Sequence, residues 1–355
     1  MWTQDHEQRQ QDLRRLKERI RDQHLDRNGV VGMSVGFKSV GGKETDELVI
    51  KFHVARKEAV PKERAVPRGI EGVKTDVVET DFQPYSFEPT APLIPPMQMT
   101  TLEAEFGPPD TGLYIWMPGG ISAGSKRKVQ VGQAIHPGPA TSGLIVTDIE
   151  TGAPMILSNC HALCCNDGND AEGDEICQPD RFDWQGRTAA CATLQRWAAG
   201  SYRIDGVDYG IDAAVASLAR TFRRVDRAVV RDVGQVAFTG TLKLTPGTQV
   251  RKRGRTTKLT TGEVISTDLD IVRDFGGVVK KKRLYNQIHV KAGTKEDGKA
   301  ATRFAAGGDS GSVLLAANTA NNSTEVVGLL WGGEDGGTAA CSPIGPVLKQ
   351  LNIRI

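Results

Sequence analysis

Aromatic residues make up only 6% of this 355-residue chain, and long apolar runs are missing from it. No stretch reaches the ~18 consecutive apolar residues of a membrane-crossing helix, so no helical span is expected. The N-terminus, MWTQDHEQRQ, is polar and charged and lacks the apolar core of a secretory signal, which makes the cytoplasm the expected compartment. Charge of one sign is also missing: 45 Lys and Arg against 43 Asp and Glu leave a formal net charge of +2. That excludes a strong global field for nucleic acid or membrane, and neither is expected as a partner. Cysteine is sparse for a disulfide scaffold, at 6 residues. Five of the six lie between Cys160 and Cys191. What the chain does have is 40 glycines and 17 prolines, a composition of many turns and short strands.

The first 26 residues hold a helical pattern. Leu13, Leu16 and Ile20 recur at helical spacing over residues 5–26, and Asn28-Gly29 marks the stop. Such a helix either docks on the neighbouring domain or serves self-association and partner recruitment. VVGMSVGF, ELVIKFHV and GVKTDVVET then read as three strands. With the helix they form a small α+β module over residues 1–80. Residues 81–118, with PTAPLIPP at their centre, read as an extended proline-rich linker. From residue 119 to 355 short apolar runs alternate with Gly, Asp, Asn and Pro: SGLIVTD, APMILSN, DAAVASL, GEVIST, NQIHVKA, GSVLLAA and EVVGLLWGG. Strands at that spacing without long helices between them indicate an antiparallel β-barrel or sandwich, closed by a short helix near 343–351.

Three motifs in this region carry chemistry. GGDSGS (307–312) places Ser310 between glycines on a tight loop. MILSNCHAL delivers His161 at the end of an apolar strand, where a general base is held firmly. GIDAAVASL opens a strand with Asp212, and the strand that follows favours Asp212 over Asp208 as the acid that orients the imidazole. A fourth segment, VVGLLWGG (326–333), ends in glycines that leave a sheet edge open for a peptide.

Taken together, these motifs resemble the trypsin/chymotrypsin-like serine protease family. The order His161, Asp212, Ser310, with separations of 51 and 98 residues, suits that family. GDSGS is similar to its nucleophile loop and LLWGG to its substrate-binding strand. VRKRGRTTKLTTGEVI (250–265) is similar to the segment before the second half of the C-terminal barrel in bacterial members. The whole layout resembles a narrower group of intracellular bacterial proteins related to the plant narrow-leaf proteases, through VVGMSVGF, GDEICQPDRFD and IDAAVA. The resemblance implies a mostly β fold, a chymotrypsin-like double antiparallel barrel preceded by the helix and α+β module. It also implies a serine endopeptidase acting on polypeptides through a covalent acyl-enzyme, with no cofactor and no metal.

The same resemblance assigns roles. Ser310 is the nucleophile, His161 the general base and Asp212 its orienting acid. The backbone N–H groups of Gly308 and Ser310 form the oxyanion hole. Phe304, six residues before Ser310, stands at the base of the specificity pocket, lined further by Leu330, Trp331 and Gly332. A phenylalanine there argues against a preference for Lys or Arg and for small or medium apolar side chains. No Ile-Val terminus is available to neutralise Asp309, and Arg255 is the candidate in its place. A protease free in the cytoplasm needs restraint, so narrow specificity is expected, with a regulatory protein or homo-oligomer acting through the N-terminal module. The alternative is a catalytically silent or latent protein-binding module on a protease fold.

Other features keep more than one reading. Cys160, Cys164, Cys165, Cys177 and Cys191 form a zinc set with His161, stay free thiols, or close one local disulfide between Cys164 or Cys165 and Cys177 or Cys191. His136 and His289 are surface or internally satisfied histidines. RKRGRTTK and KKKR are solvated loops or a patch for an acidic partner, and GGVVKKKRLYNQ is an exposed, clippable loop.

Overall fold

A computed structural model describes residues 3–41, 43–61, 64–80, 82–84, 105–131, 134–165, 168–183, 189–219, 224–275, 281–294, 301–334 and 337–355. The helix Gln4–His24 begins at Thr3, whose hydroxyl accepts from the His6 N–H while the Thr3 N–H donates back to the His6 ring. Asp5 and Glu7 in its first turn, and Arg21 and His24 in its last, match the helix dipole. Its buried stripe is Leu13, Leu16 and Ile20, as the spacing indicates, but Lys17 is buried beside them. Asp26 and Asn28 then take positive φ and turn the chain into the strand Val30–Val40.

That strand pairs antiparallel with Lys43–Val54, which pairs parallel with Val73–Glu79. Val30–Val40 also pairs, at Gly32 and Met33, with Ile271 and Asp270 of the long strand Lys258–Asp274. The N-terminal sheet is therefore continuous with the sheet of the C-terminal half. The core under the helix likewise mixes Leu13, Met33, Ile50 and Phe52 with Val272 and Tyr285. The N-terminal strands and the C-terminal half thus share one sheet and one apolar core. The two ends of the expected linker are docked, Gln83–Pro84 on Gly332–Gly333 and Trp116–Gly119 parallel to Arg224–Val230. PTAPLIPP itself lies outside the described residues.

The C-terminal half closes on itself. The strands Gln249–Gly254, Val313–Asn318, Ser323–Gly333, Thr338–Pro343, Lys281–Ala292 and Lys258–Asp274 pair in that order, and the last pairs back to the first. This is a closed antiparallel barrel. The segment read as a clippable loop contributes RLYNQ to one of its strands, with Leu284 and Gln287 fully buried; residues 276–280 lie outside the described ones. The preceding half is a seven-stranded antiparallel sheet that contains Leu144–Asp148, Pro154–Ser158, Val207–Leu218 and Ala190–Ile204. Leu144, Leu157, Ile211 and Val215 of that sheet pack against Val313, Leu315, Val326 and Leu329 of the barrel, and the helix Ile344–Gln350 adds Val347. The chain is mostly β with a short N-terminal helix, as expected, and the seam between its two β halves holds the motifs singled out above.

Candidate active site

The strand Pro154–Ser158 runs into a single helical turn, Cys160–Leu163. Its partner strand Val207–Leu218 is aligned by Ser158 opposite Ala214, which brings Asp212 beneath that turn. Asn159 Nδ2 donates to the Asp212 carbonyl at 2.7 Å, and the His161 backbone N–H donates to Asp212 Oδ1 at 3.1 Å. The other carboxylate oxygen meets His161 Nδ1 in a short contact. On the far side of the ring, Nε2 stands 3.0 Å from Ser310 Oγ, across the seam. Asp212, His161 and Ser310 are thus joined in series, with relative exposures of 2%, 8% and 0%. Asp208, the rival acid, is held instead by Arg21 and Arg203.

The loop that carries Ser310 is locked from several sides. Gly308 has φ +94, and a Cβ there would lie 2.5 Å from Thr256 Oγ1, so this position requires glycine. Its carbonyl accepts from Thr141 Oγ1 at 2.8 Å, and the Gly307 carbonyl accepts from Thr256 Oγ1 at 2.6 Å. These bonds fix the Gly308–Ser310 backbone, the two expected oxyanion donors. Asp309 points inward and is fully buried. It accepts from the backbone N–H groups of Thr256 at 2.8 Å, Thr257 at 3.1 Å and Ala306 at 3.0 Å, and from Thr257 Oγ1 at 2.6 Å.

The cation on Asp309 is Lys252, with Nζ at 3.2 Å. Arg255, the residue expected there, forks onto Asp183 instead. The local geometry explains the exchange. Lys252 shares a strand face with the core residue Val250 and so points into the barrel, whereas Arg255 lies past the strand end at Gly254. Burial pulls the Lys252 ammonium below its ordinary range, and the Asp309 carboxylate opposes that shift. Arg253 is buried too, against Asp110 and Asp232. The inner residues of the run RKRGRTTK are therefore internal ion-pair members and not a solvated basic surface.

The expected substrate contacts divide. Phe304 is fully buried among Val250, Val264, Ile288 and Leu314, so it fills the barrel core. Leu330 is in the same core, bonded through its backbone to Gly311 and Ser312. Trp331 is fully buried, its Nε1 donates to Gln287 Oε1 at 2.8 Å, and its carbonyl accepts from Ser310 Oγ at 3.1 Å. Gly332 lies at the strand edge, but that edge is taken by Pro84 and Gln83. Sequence reasoning missed Phe275, whose ring lies 5.7 Å from that of His161 and 5.4 Å from that of Trp331. It also missed Phe82, which is 1% exposed. Between His161, Asp212, Gly200, Phe275, Lys282 and Leu284 there is only a narrow crevice of about 10 Å³. A wider cleft of about 380 Å³, lined by His6, Phe37, Glu263 and Lys291, lies away from this site.

All six cysteines are free and buried. Cys177 is pushed up to about 11 by burial and nearby Asp180, and Cys341 is raised by burial alone. His289 is neither a surface residue nor satisfied: it is buried, and its Nε2 has no hydrogen-bond partner among the described residues. The side chain of His136 lies outside the described residues.

No family model matches the chain, and no curated protein does. Solved structures similar to it include a glutamic-acid-specific serine protease, 16% identical over 67% of this chain and 100% of its own, with a TM-score of 0.43. Nocardiopsis protease is 15% identical over 67% of this chain and 98% of its own, with a TM-score of 0.41. Thermobifida fusca protease A is 16% identical over 67% and 97%, also with a TM-score of 0.41.

Proposed function

We propose that the protein is a serine endopeptidase. The observation that carries this reading is the hydrogen-bonded series Asp212–His161–Ser310 across the seam of the two β halves. Ser310 Oγ attacks a peptide carbonyl while His161 Nε2 takes its proton. The backbone N–H groups of Gly308 and Ser310 bind the oxyanion, each worth ~3–4 kcal/mol in the transition state. His161 then gives the proton to the departing amine nitrogen as the C–N bond breaks, leaving an acyl-Ser310. Water adds to the acyl carbon and loses a proton to His161, which returns it to Ser310 as the acid departs. Asp212 keeps Nδ1 protonated and stabilises the imidazolium.

No side-chain preference at the attacked residue is drawn from Phe304, because it fills the barrel core. Restraint is supplied within the chain: Ser310 has no exposed surface, and the Gly332 edge is covered. That covered edge is also what favours the second reading, a latent or silent module that binds proteins. Fluorophosphonate labelling of the purified chain beside Ser310→Ala and His161→Ala separates the two. Label on the parent alone supports the peptidase, and no label under any condition, including with the strand edge freed, refutes it.

A further inference from the structure

The end of the strand Ser323–Gly333 is a sheet edge in contact with the site. Extended peptides bind such edges by main-chain pairing, with alternate side chains entering pockets. In this chain the edge is occupied from within. Gly333 pairs antiparallel with Gln83, and Gly332 with Pro84. Pro84 has no N–H to give, so the hydrogen-bonded pair of this short ladder falls at Gln83 and Gly333. The approach is close: a Cβ on Gly332 would lie 2.4 Å from the Gln83 carbonyl oxygen.

The polarity of the segment is informative. From Gln83 to Pro84 the chain runs from Gly333 to Gly332, toward Trp331, whose carbonyl is 3.1 Å from Ser310 Oγ. A substrate in that register therefore presents to Ser310 the carbonyl of the residue opposite Trp331, one beyond the proline position. The residue before Gln83 is anchored. The Phe82 ring stands 5.1 Å from His289, 6.5 Å from Trp331 and 6.5 Å from His53, at 1% exposure. Gln83, by contrast, is exposed. One buried aromatic, one exposed polar residue and one proline thus lie along the edge in substrate direction.

Resting on the peptidase reading, we propose that Phe82–Pro84 is an internal stand-in for substrate, and that the enzyme takes extended polypeptides with an aromatic side chain three residues before the attacked carbonyl. The pocket of His53, His289 and Trp331 is then a subsite, and substrate enters only by displacing Phe82.

The test uses the full chain, Phe82→Ala, and Gln83→Pro. The last removes the main-chain donor without opening a cavity, which guards against a folding failure in Phe82→Ala. The probes are a fluorophosphonate and the anilides acetyl-Phe-Gln-Pro-Leu and acetyl-Ala-Gln-Pro-Leu. Both variants should label about tenfold faster than the parent, the scale of one buried aromatic anchor. On either variant the Phe peptide should exceed the Ala peptide about tenfold in kcat/KM. Equal labelling of parent and variants would overturn the internal stand-in and leave the peptidase standing. Faster labelling with equal cleavage of both peptides would overturn the aromatic subsite. Failure of every form to label would remove the peptidase reading and this inference with it.

Discussion

Ser310, His161 and Asp212 were legible as residues because each closes or opens a short apolar run, and adjacent residues of the chain fix how it is presented. Lys252 was not legible as the partner of Asp309. Its role depends on which face of a strand enters the barrel, and the run RKRGRTTK reads as surface until Val250, two residues away, is seen to be core. The two cations make different predictions. A double-mutant cycle between Lys252→Met and Asp309→Asn should show coupling above ~1 kcal/mol in urea unfolding, since the pair is buried and in contact. Lys252→Met alone should cost ~3–5 kcal/mol, because it leaves Asp309 buried without its cation. The matching cycle between Arg255→Met and Asp309→Asn should couple by less than ~0.5 kcal/mol. The reverse order of couplings would restore Arg255 to the role first expected of it.

Strands and the N-terminal helix were legible as elements from their periodicity, and their pairings were not. Pairing is set by contacts distant in sequence, such as Met33 with Asp270 or Gln83 with Gly333. His53 shows what such a junction does. It lies on Lys43–Val54, with Nε2 2.8 Å from Ser34 Oγ and Nδ1 3.0 Å from Thr80 Oγ1. Burial first, then Lys51 and Lys17, push its pKa down to about 3, with Asp76 opposing. His289, beside it, is lowered in the same direction. Between the unfolded value near ~6.5 and that folded value, the unfolded chain binds protons that the native chain does not. Stability therefore falls as pH drops below ~6.5, by up to ~1.4 kcal/mol per pH unit for one such histidine, and is flat above it. Urea midpoints from pH 8 to 5 should show this, and His53→Gln should flatten the acid slope. An unchanged slope in His53→Gln would show that His53 does not set the acid limit.

At the scale of the whole molecule, the sequence divides into a module, a linker and a barrel pair, and the structure joins them. The joint is ionic as well as apolar. Lys17 of the N-terminal helix is fully buried, with Nζ 3.0 Å from Asp270 and 3.8 Å from Asp268 of the barrel strand Lys258–Asp274. It also donates to the Asp268 carbonyl, and Asp268 accepts from the Val35 N–H at 3.2 Å. Helix, N-terminal sheet and barrel therefore share one charge cluster, in which burial raises Asp270 and Lys17 lowers it. Separating the helix would take away both Lys17 and Arg14, which stands 3.6 Å from Asp268, and leave two buried carboxylates without a cation of the helix. Separating the strand Val30–Val40 as well would bare the edge of Lys258–Asp274 that it covers. Lys17→Met should accordingly lower the stability of the whole chain by ~3–5 kcal/mol, the range for a buried pair broken on one side. Its unfolding should stay a single transition, with helix circular dichroism and the fluorescence of buried Trp331 changing together. Loss of the helix signal at lower urea than the Trp331 signal would mean that the N-terminal unit unfolds by itself, and that the barrel holds its site without it.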